Sequence, residues 1–155
     1  MFKLTGKAGT TLGIGLLAAC AVALAADNRA LFNIGATTEF VLPDGGRVED
    51  AALSGFTIMG DISDPLHMGS QDCQGRTVFD ADGNTVQGGG FCTMADKDHE
   101  AVWIWWAEDA DGRTWGVIAG TGKYKGATGS GTWDLTKVWP NGKVEEAWRG
   151  EIILK

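Results

Sequence analysis

"WDLTKVWPNGKVEEAW", residues 133 to 148, alternates apolar and polar side chains on both sides of Pro140-Asn141-Gly142. Alternation of period two is the pattern of a half-buried β-strand, and an Asn-Gly pair between two such runs marks a hairpin. With Asn141 and Gly142 as a two-residue turn, residues paired across the strands have numbers summing to 283. Trp139 then faces Val144, Leu135 faces Trp148 and Trp133 faces Gly150 on one side. Asp134 faces Arg149 and Thr136 faces Ala147 on the other. One face is apolar and the other polar with matched charges, as cross-strand pairing requires, and a one-residue slip would destroy both. The same register sets Lys137 opposite Glu146 on the apolar face. That pair reads either as an ion pair at a solvent-reached rim, worth little, or as a polar pair set into a cavity to orient a ligand or move a proton.

The rest of the chain repeats this pattern. Short runs rich in Val, Ile, Thr, Phe and Trp are separated every ten or so residues by Asp-Gly, Asn-Gly or Gly-Gly, and no long stretch shows helical spacing. The fold class is all-β, a sandwich or barrel. Candidate strands are 31–42, 48–62, 76–80, 85–94, 101–108, 114–119, 131–139 and 143–154. The run "AVWIWWAED" (101 to 109) is apolar on both faces: Trp103 and Trp105 point one way, Ile104 and Trp106 the other. It reads as a central strand in the core, with Trp103, Trp105, Trp133 and Trp148 as the indoles able to stack on an aromatic ligand.

Residues 1 to 25 resemble a secretory signal peptide, with Lys3 and Lys7 before an apolar, small-residue stretch and no acid before Asp27. Ala23-Leu24-Ala25 supplies an ordinary cleavage site, and Leu17-Ala18-Ala19-Cys20 a competing lipobox that would lipidate Cys20; the first is favoured because residues 21 to 26 stay apolar. One domain over residues 26 to 155 is expected, exported to the periplasm or secreted, with no membrane span. The chain's net charge of −7 becomes −9 without the two leader lysines, which argues against nucleic acid as a partner. Cys73 and Cys92 remain after cleavage and read first as a disulfide, worth about 3 kcal/mol in the chain-entropy model. A zinc site would need His67 and His99 as well, in no recognised spacing, so no metal and no cofactor is expected.

Other motifs are structural on inspection. "DADGN" (80 to 84) and "DADGR" (109 to 113) begin like calcium loops but carry Thr85 and Thr114 where glycine is needed, and read as hairpin turns. Asp96, Asp98 and Glu100 alternate and could lend carboxylates to Ca²⁺, although a solvated turn is the simpler reading. "GTGKYKGATGSGTW" (120 to 133) fits neither the P-loop nor the dinucleotide fingerprint. Its glycines, Gly120, Gly122, Gly126, Gly129 and Gly131, suit a chain turning over a barrel end.

That stretch, with Ile118 and Ala119 before it, resembles the glycine signature of the allene oxide cyclase and dirigent superfamily and of its small exported bacterial members. Asp72-Cys73-Gln74-Gly75, Gly90-Phe91-Cys92, Asp96 and Asp98, and Trp103 to Trp106 stand in the same order as in those relatives. Ala119 departs from the family's paired glycine. The resemblance implies a single antiparallel eight-stranded barrel, calycin-like, with a central apolar cavity, often oligomeric, whose plant members steer a reactive hydrophobic substrate. The family's catalytic residues lie outside the shared motif, and none is carried over. The expected function is therefore binding of an apolar or aromatic small molecule, as a possible homo-oligomer. The alternatives are a cyclase, isomerase or dirigent-type enzyme using Glu146 and Lys137, with His67 and His99 less favoured, and a structural envelope protein with a filled barrel.

Overall fold

The computed structural model describes residues 28–155; the leader and Cys20 lie outside the described residues. Eight strands follow one another in chain order: β1 (Asn28–Val41), β2 (Arg47–Ile58), β3 (Ser70–Phe79), β4 (Thr85–Ala95), β5 (Ala101–Asp109), β6 (Gly112–Gly120), β7 (Thr128–Val138) and β8 (Lys143–Ile153). Each pairs antiparallel with its neighbours, and β8 returns to β1 (Asn28 opposite Trp148 through Asn33 opposite Lys143), closing the sheet into a barrel. Closure leaves no edge strand to be capped. A single 3₁₀ turn, Gly122–Tyr124, is the one helical element among the described residues.

The β7–β8 hairpin corrects the expected register. Trp139 donates its amide to the Lys143 carbonyl at 2.8 Å, and Gly142 donates to the Trp139 carbonyl at 3.0 Å with φ of 78°. The loop is therefore three residues, Pro140-Asn141-Gly142: proline pre-sets a type I turn and glycine takes the left-handed position that follows it. That shifts the pairing by one residue, and a β-bulge between Leu135 and Lys137 shifts it by one more. The two shifts together amount to a whole pleat. Trp133 pairs with Trp148 and Leu135 with Glu146, so from Thr128 to Leu135 the faces are as expected although the partners are not. Between the bulge and the loop the faces are exchanged: Lys137 stands opposite Glu145, exposed, with its ammonium 4.7 Å from the Trp139 ring centre, and Val138 lines the interior in its place.

Strand β3 begins at Ser70, six residues before the expected start, and β2 ends at Ile58 instead of reaching residue 62. Cys73 and Cys92 are directly opposed on β3 and β4 and form a disulfide with an S–S distance of 2.01 Å. Such a bond belongs to an oxidising, extracellular type of environment. Among the described residues no helix is long and apolar enough to cross a membrane.

The end of the barrel where β2 meets β3, β4 meets β5 and β6 meets β7 is filled. Leu66 from the β2–β3 loop and Tyr124 from the 3₁₀ turn are each 2% exposed, packed with Met59, Met94 and Val102. Gly122 lies in the left-handed region (φ 51°), and a Cβ there would stand 1.9 Å from the Glu100 carboxylate. Only glycine lets this turn seat against the β4–β5 loop.

Candidate functional site: a tryptophan-walled cavity

The opposite end, formed by the β1–β2, β3–β4, β5–β6 and β7–β8 hairpins, is open. Leu135 and Val138 point inward there yet remain 44% and 58% exposed. Behind them lies a cavity of about 290 Å³. Its walls include Phe32, Trp106, Trp115, Trp133 and Trp148 together with the Cys73–Cys92 disulfide. The volume is at the lower edge of small-molecule sites, about 300–1,000 Å³, as an eight-stranded barrel allows.

Glycines shape the wall. A Cβ on Gly75 of β3 would stand 2.0 Å from Trp106 Cζ2, so the absent side chain is what admits the Trp106 indole. The indoles then meet edge to face. Trp106 and Trp133 have ring centres 5.7 Å apart at 84°, and Trp115 and Trp148 5.4 Å apart at 89°, the arrangement that the ring quadrupole favours. Trp115 donates Nε1–H to the Thr132 and Arg149 carbonyls. The buried Nε1 atoms of Trp133 and Trp148, and Oε1 of Gln71, have no protein partner.

Three carboxyls line this apolar space. Glu108 is buried and satisfied: it accepts from Arg113 Nε at 3.0 Å and from Thr77 Oγ1 at 3.2 Å. Gly88 leaves the room for it, since a Cβ there would meet Glu108 Oε1 at 2.6 Å. Glu49, at the rim, accepts from Arg47 Nε at 2.9 Å. Among the described residues Glu146 has no hydrogen-bond or ion-pair partner. Burial pushes its carboxyl up to about 7; the neighbouring Glu108 charge adds to the rise and Arg113 partly offsets it. At neutral pH Glu146 is therefore divided between acid and carboxylate, the range in which a side chain can both give and take a proton.

The structure brings Trp133, Trp148, Glu146 and the Cys73–Cys92 disulfide together at the cavity and separates Trp103, Trp105, Lys137, His67 and His99 from it. Trp103 and Trp105 face outward, because the inward side of β5 is Val102, Ile104, Trp106 and Glu108. Trp105 is 41% exposed on the barrel exterior, paired with the exposed Phe91. Lys137 is on the outside by virtue of the bulge. His67 (ring Nδ1 3.3 Å from the Met59 carbonyl oxygen) and His99 lie in loops of the filled end, away from the cavity. Trp106, Trp115, Glu108 and Arg113 were not singled out by sequence. Parity along β5 identifies Trp106 and Glu108 once Ile104 is known to be inward.

Of the glycine motif, Gly120, Gly122 and Gly126 belong to the turn of the filled end, whereas Gly129 and Gly131 lie within β7 and do not turn the chain. Lys123 Nζ bonds Asp96 Oδ2 at 2.5 Å and Asp98 Oδ2 at 3.1 Å, and lies 3.3 Å from Glu100 Oε2. The alternating acids thus surround a lysine ammonium. Asp96 also accepts from the Asp98 and Glu100 amides and from the Tyr124 hydroxyl. Burial pushes the Asp96 carboxyl up, but these donors, Lys123 foremost, outweigh it and hold it below the ordinary range. Among the described residues no group of three or more His, Cys, Asp or Glu side chains comes together as a metal site.

Fold and site define a small antiparallel eight-stranded barrel, plugged at one end and open at the other onto an aromatic cavity holding an unpaired carboxyl. Neither family models nor curated proteins nor solved structures give a match to this chain.

Proposed function

We propose that the protein binds an apolar or aromatic small molecule in the open end of its barrel. The observation that carries this reading is the cavity of about 290 Å³ walled by indoles and rimmed by inward-facing yet exposed Leu135 and Val138. Leaving such apolar surface wet costs free energy that a ligand would recover, about 25 cal/mol per Å² covered. Export to the periplasm or outside the cell, through residues 1 to 25, is part of the proposal; the disulfide supports it. So is kinship with the exported members of the allene oxide cyclase and dirigent superfamily, supported by the closed eight-stranded barrel and by the place of the glycine-rich turn at its filled end.

A second reading is favoured by Glu146 alone. A carboxyl poised near 7 beside an aromatic cavity suits general acid–base work on a bound substrate, as in a cyclase or isomerase. In this version positioning by the walls supplies most of the rate and Glu146 the proton transfer. Lys137 has no part in it.

The test is native mass spectrometry of the protein isolated from the cell that makes it, followed by denaturation and identification of what is released. An apolar or aromatic molecule at about one per chain is expected, and its conversion by wild type but not by Glu146→Gln would establish the enzymatic version. Absence of any released molecule, together with unchanged tryptophan fluorescence across a panel of aromatic probes, would overturn both readings in favour of a structural barrel.

A further inference from the structure

We propose that the molecule this cavity selects carries a cationic amine on an aromatic or apolar body, with the Glu146 carboxylate as counter-ion and the indole walls around the charge. The inference rests on the ligand-binding reading above and specifies its chemistry.

The argument is a census of charge within the barrel. Glu146 on β8 is flanked by Leu135 of β7 and Ala30 of β1, neither charged. Across the cavity stand Glu108 of β5, Arg113 of β6 and Glu49 of β2. Arg113, the one cation lining the cavity among the described residues, is committed: its Nε lies 3.0 Å from Glu108 and its guanidinium 5.2 Å from the Trp133 ring centre. Glu49 is served at the rim by Arg47. An ionised Glu146 therefore has no cation of its own in a space from which bulk water is partly excluded. A buried carboxylate without a partner is costly, and the cost is met by taking up a proton or by receiving a positive group.

Three kinds of ligand follow different rules here. A carboxylate ligand would meet Glu146 and Glu108 as like charges. A neutral ligand gains the apolar contact but leaves Glu146 to be protonated. An ammonium pairs with Glu146 and finds indole faces nearby, whose quadrupole attracts a cation. The contact of Arg113 with Trp133 is the same interaction already made by the protein's own side chain. The volume of about 290 Å³ limits the body to one small ring system with a short chain.

Because the ammonium requires ionised Glu146, its binding competes with a proton. Affinity should rise about tenfold per pH unit below the carboxyl's value near 7 and level off above it.

The test is titration calorimetry of the full protein with 2-phenylethylamine, 2-phenylethanol and phenylacetate between pH 5 and 8, on wild type and on Glu146→Gln. The expected result is that at pH 8 the amine binds at least tenfold more tightly than the alcohol, with phenylacetate weakest. The amine should weaken about 100-fold from pH 8 to pH 5 while the alcohol does not. In Glu146→Gln the amine's advantage and its pH dependence should vanish while alcohol binding persists, which also shows that the variant is folded. An amine no tighter than the alcohol at pH 8, or an advantage that survives the substitution, overturns the inference and leaves the cavity as a neutral-ligand site. Failure of all three probes to bind wild type overturns the small-molecule reading itself, and this inference with it.

Discussion

The two ends of the barrel are built from the same eight strands and treat charge in opposite ways. At the filled end a buried carboxylate, Asp96, is saturated with donors and Lys123 is clasped by three acids, while Leu66 and Tyr124 close the interior. At the open end a carboxyl, Glu146, has no partner, and the tryptophans leave a hollow. Satisfied polar groups and dense packing stabilise; an unpaired group beside a void costs stability. In this molecule the glycine-rich turn and its lysine belong to stability, and the proposed binding rests on the plainer residues of β5, β6 and β8.

The contrast should break most visibly at the plug. Tyr124→Ala removes a buried ring and the hydroxyl bond to Asp96, and should cost about 3–5 kcal/mol in denaturant unfolding. A loss under about 1 kcal/mol would mean that this end is not closed as described. Replacing both Cys73 and Cys92 by alanine should cost about 3 kcal/mol and leave the barrel's strand content intact by circular dichroism.

The ends should also answer pH with opposite signs. Glu146, whose value is raised, lends stability that is fully present below its unfolded value near 4.5 and is lost as pH rises through about 7. Unfolding followed from pH 5 to 8 should show a decline of about 1–3 kcal/mol that Glu146→Gln abolishes. Asp96, held low, contributes above its unfolded value near 3.9, and that contribution goes as pH falls through its still lower folded value. Acid unfolding below about pH 4 should therefore persist in Glu146→Gln and shrink in Asp96→Asn.

Smallest of all should be Trp105→Ser. Its ring lies on the exterior against Phe91, so stability should fall by about 1 kcal/mol, the scale of a cross-strand aromatic pair, and ligand binding should not change. Trp106→Ser, one residue on, should lower probe affinity in the same titration. Equal effects at the two positions would contradict the inward parity of β5.

How much of this was legible depends on what each residue signals. Alternation gave most of the strands and the faces of the terminal hairpin as far as Leu135, and the disulfide followed from the two cysteines left after the expected leader. The partners across that hairpin did not follow, because Pro140 recruits a three-residue loop and the bulge near Thr136 has no sequence mark. Lys137 was misplaced for that reason. The first half of β3 escaped notice because its inward positions are Gln71, Cys73 and Gly75, none of which reads as a strand. Trp103 and Trp105 were chosen over Ile104 and Trp106 because both faces of β5 are apolar, and periodicity alone cannot say which is inside. The deciding residues lie on other strands: Gly75 makes room for Trp106 within, and Gly116 for Trp105 without. Whether seven tryptophans fill a barrel or line it is a matter of volumes, which no pattern of residues states.

The most direct measurement is the titration of the Glu146 side-chain carboxyl by ¹³C NMR in the ligand-free protein, assigned through Glu146→Gln. A midpoint about 7 is the expected result, the signature of a carboxyl that the cavity withholds from water and from any cation. A midpoint near 4.5 would contradict it, because Glu146 would then be solvated or paired and the open end would be no more than a wet rim.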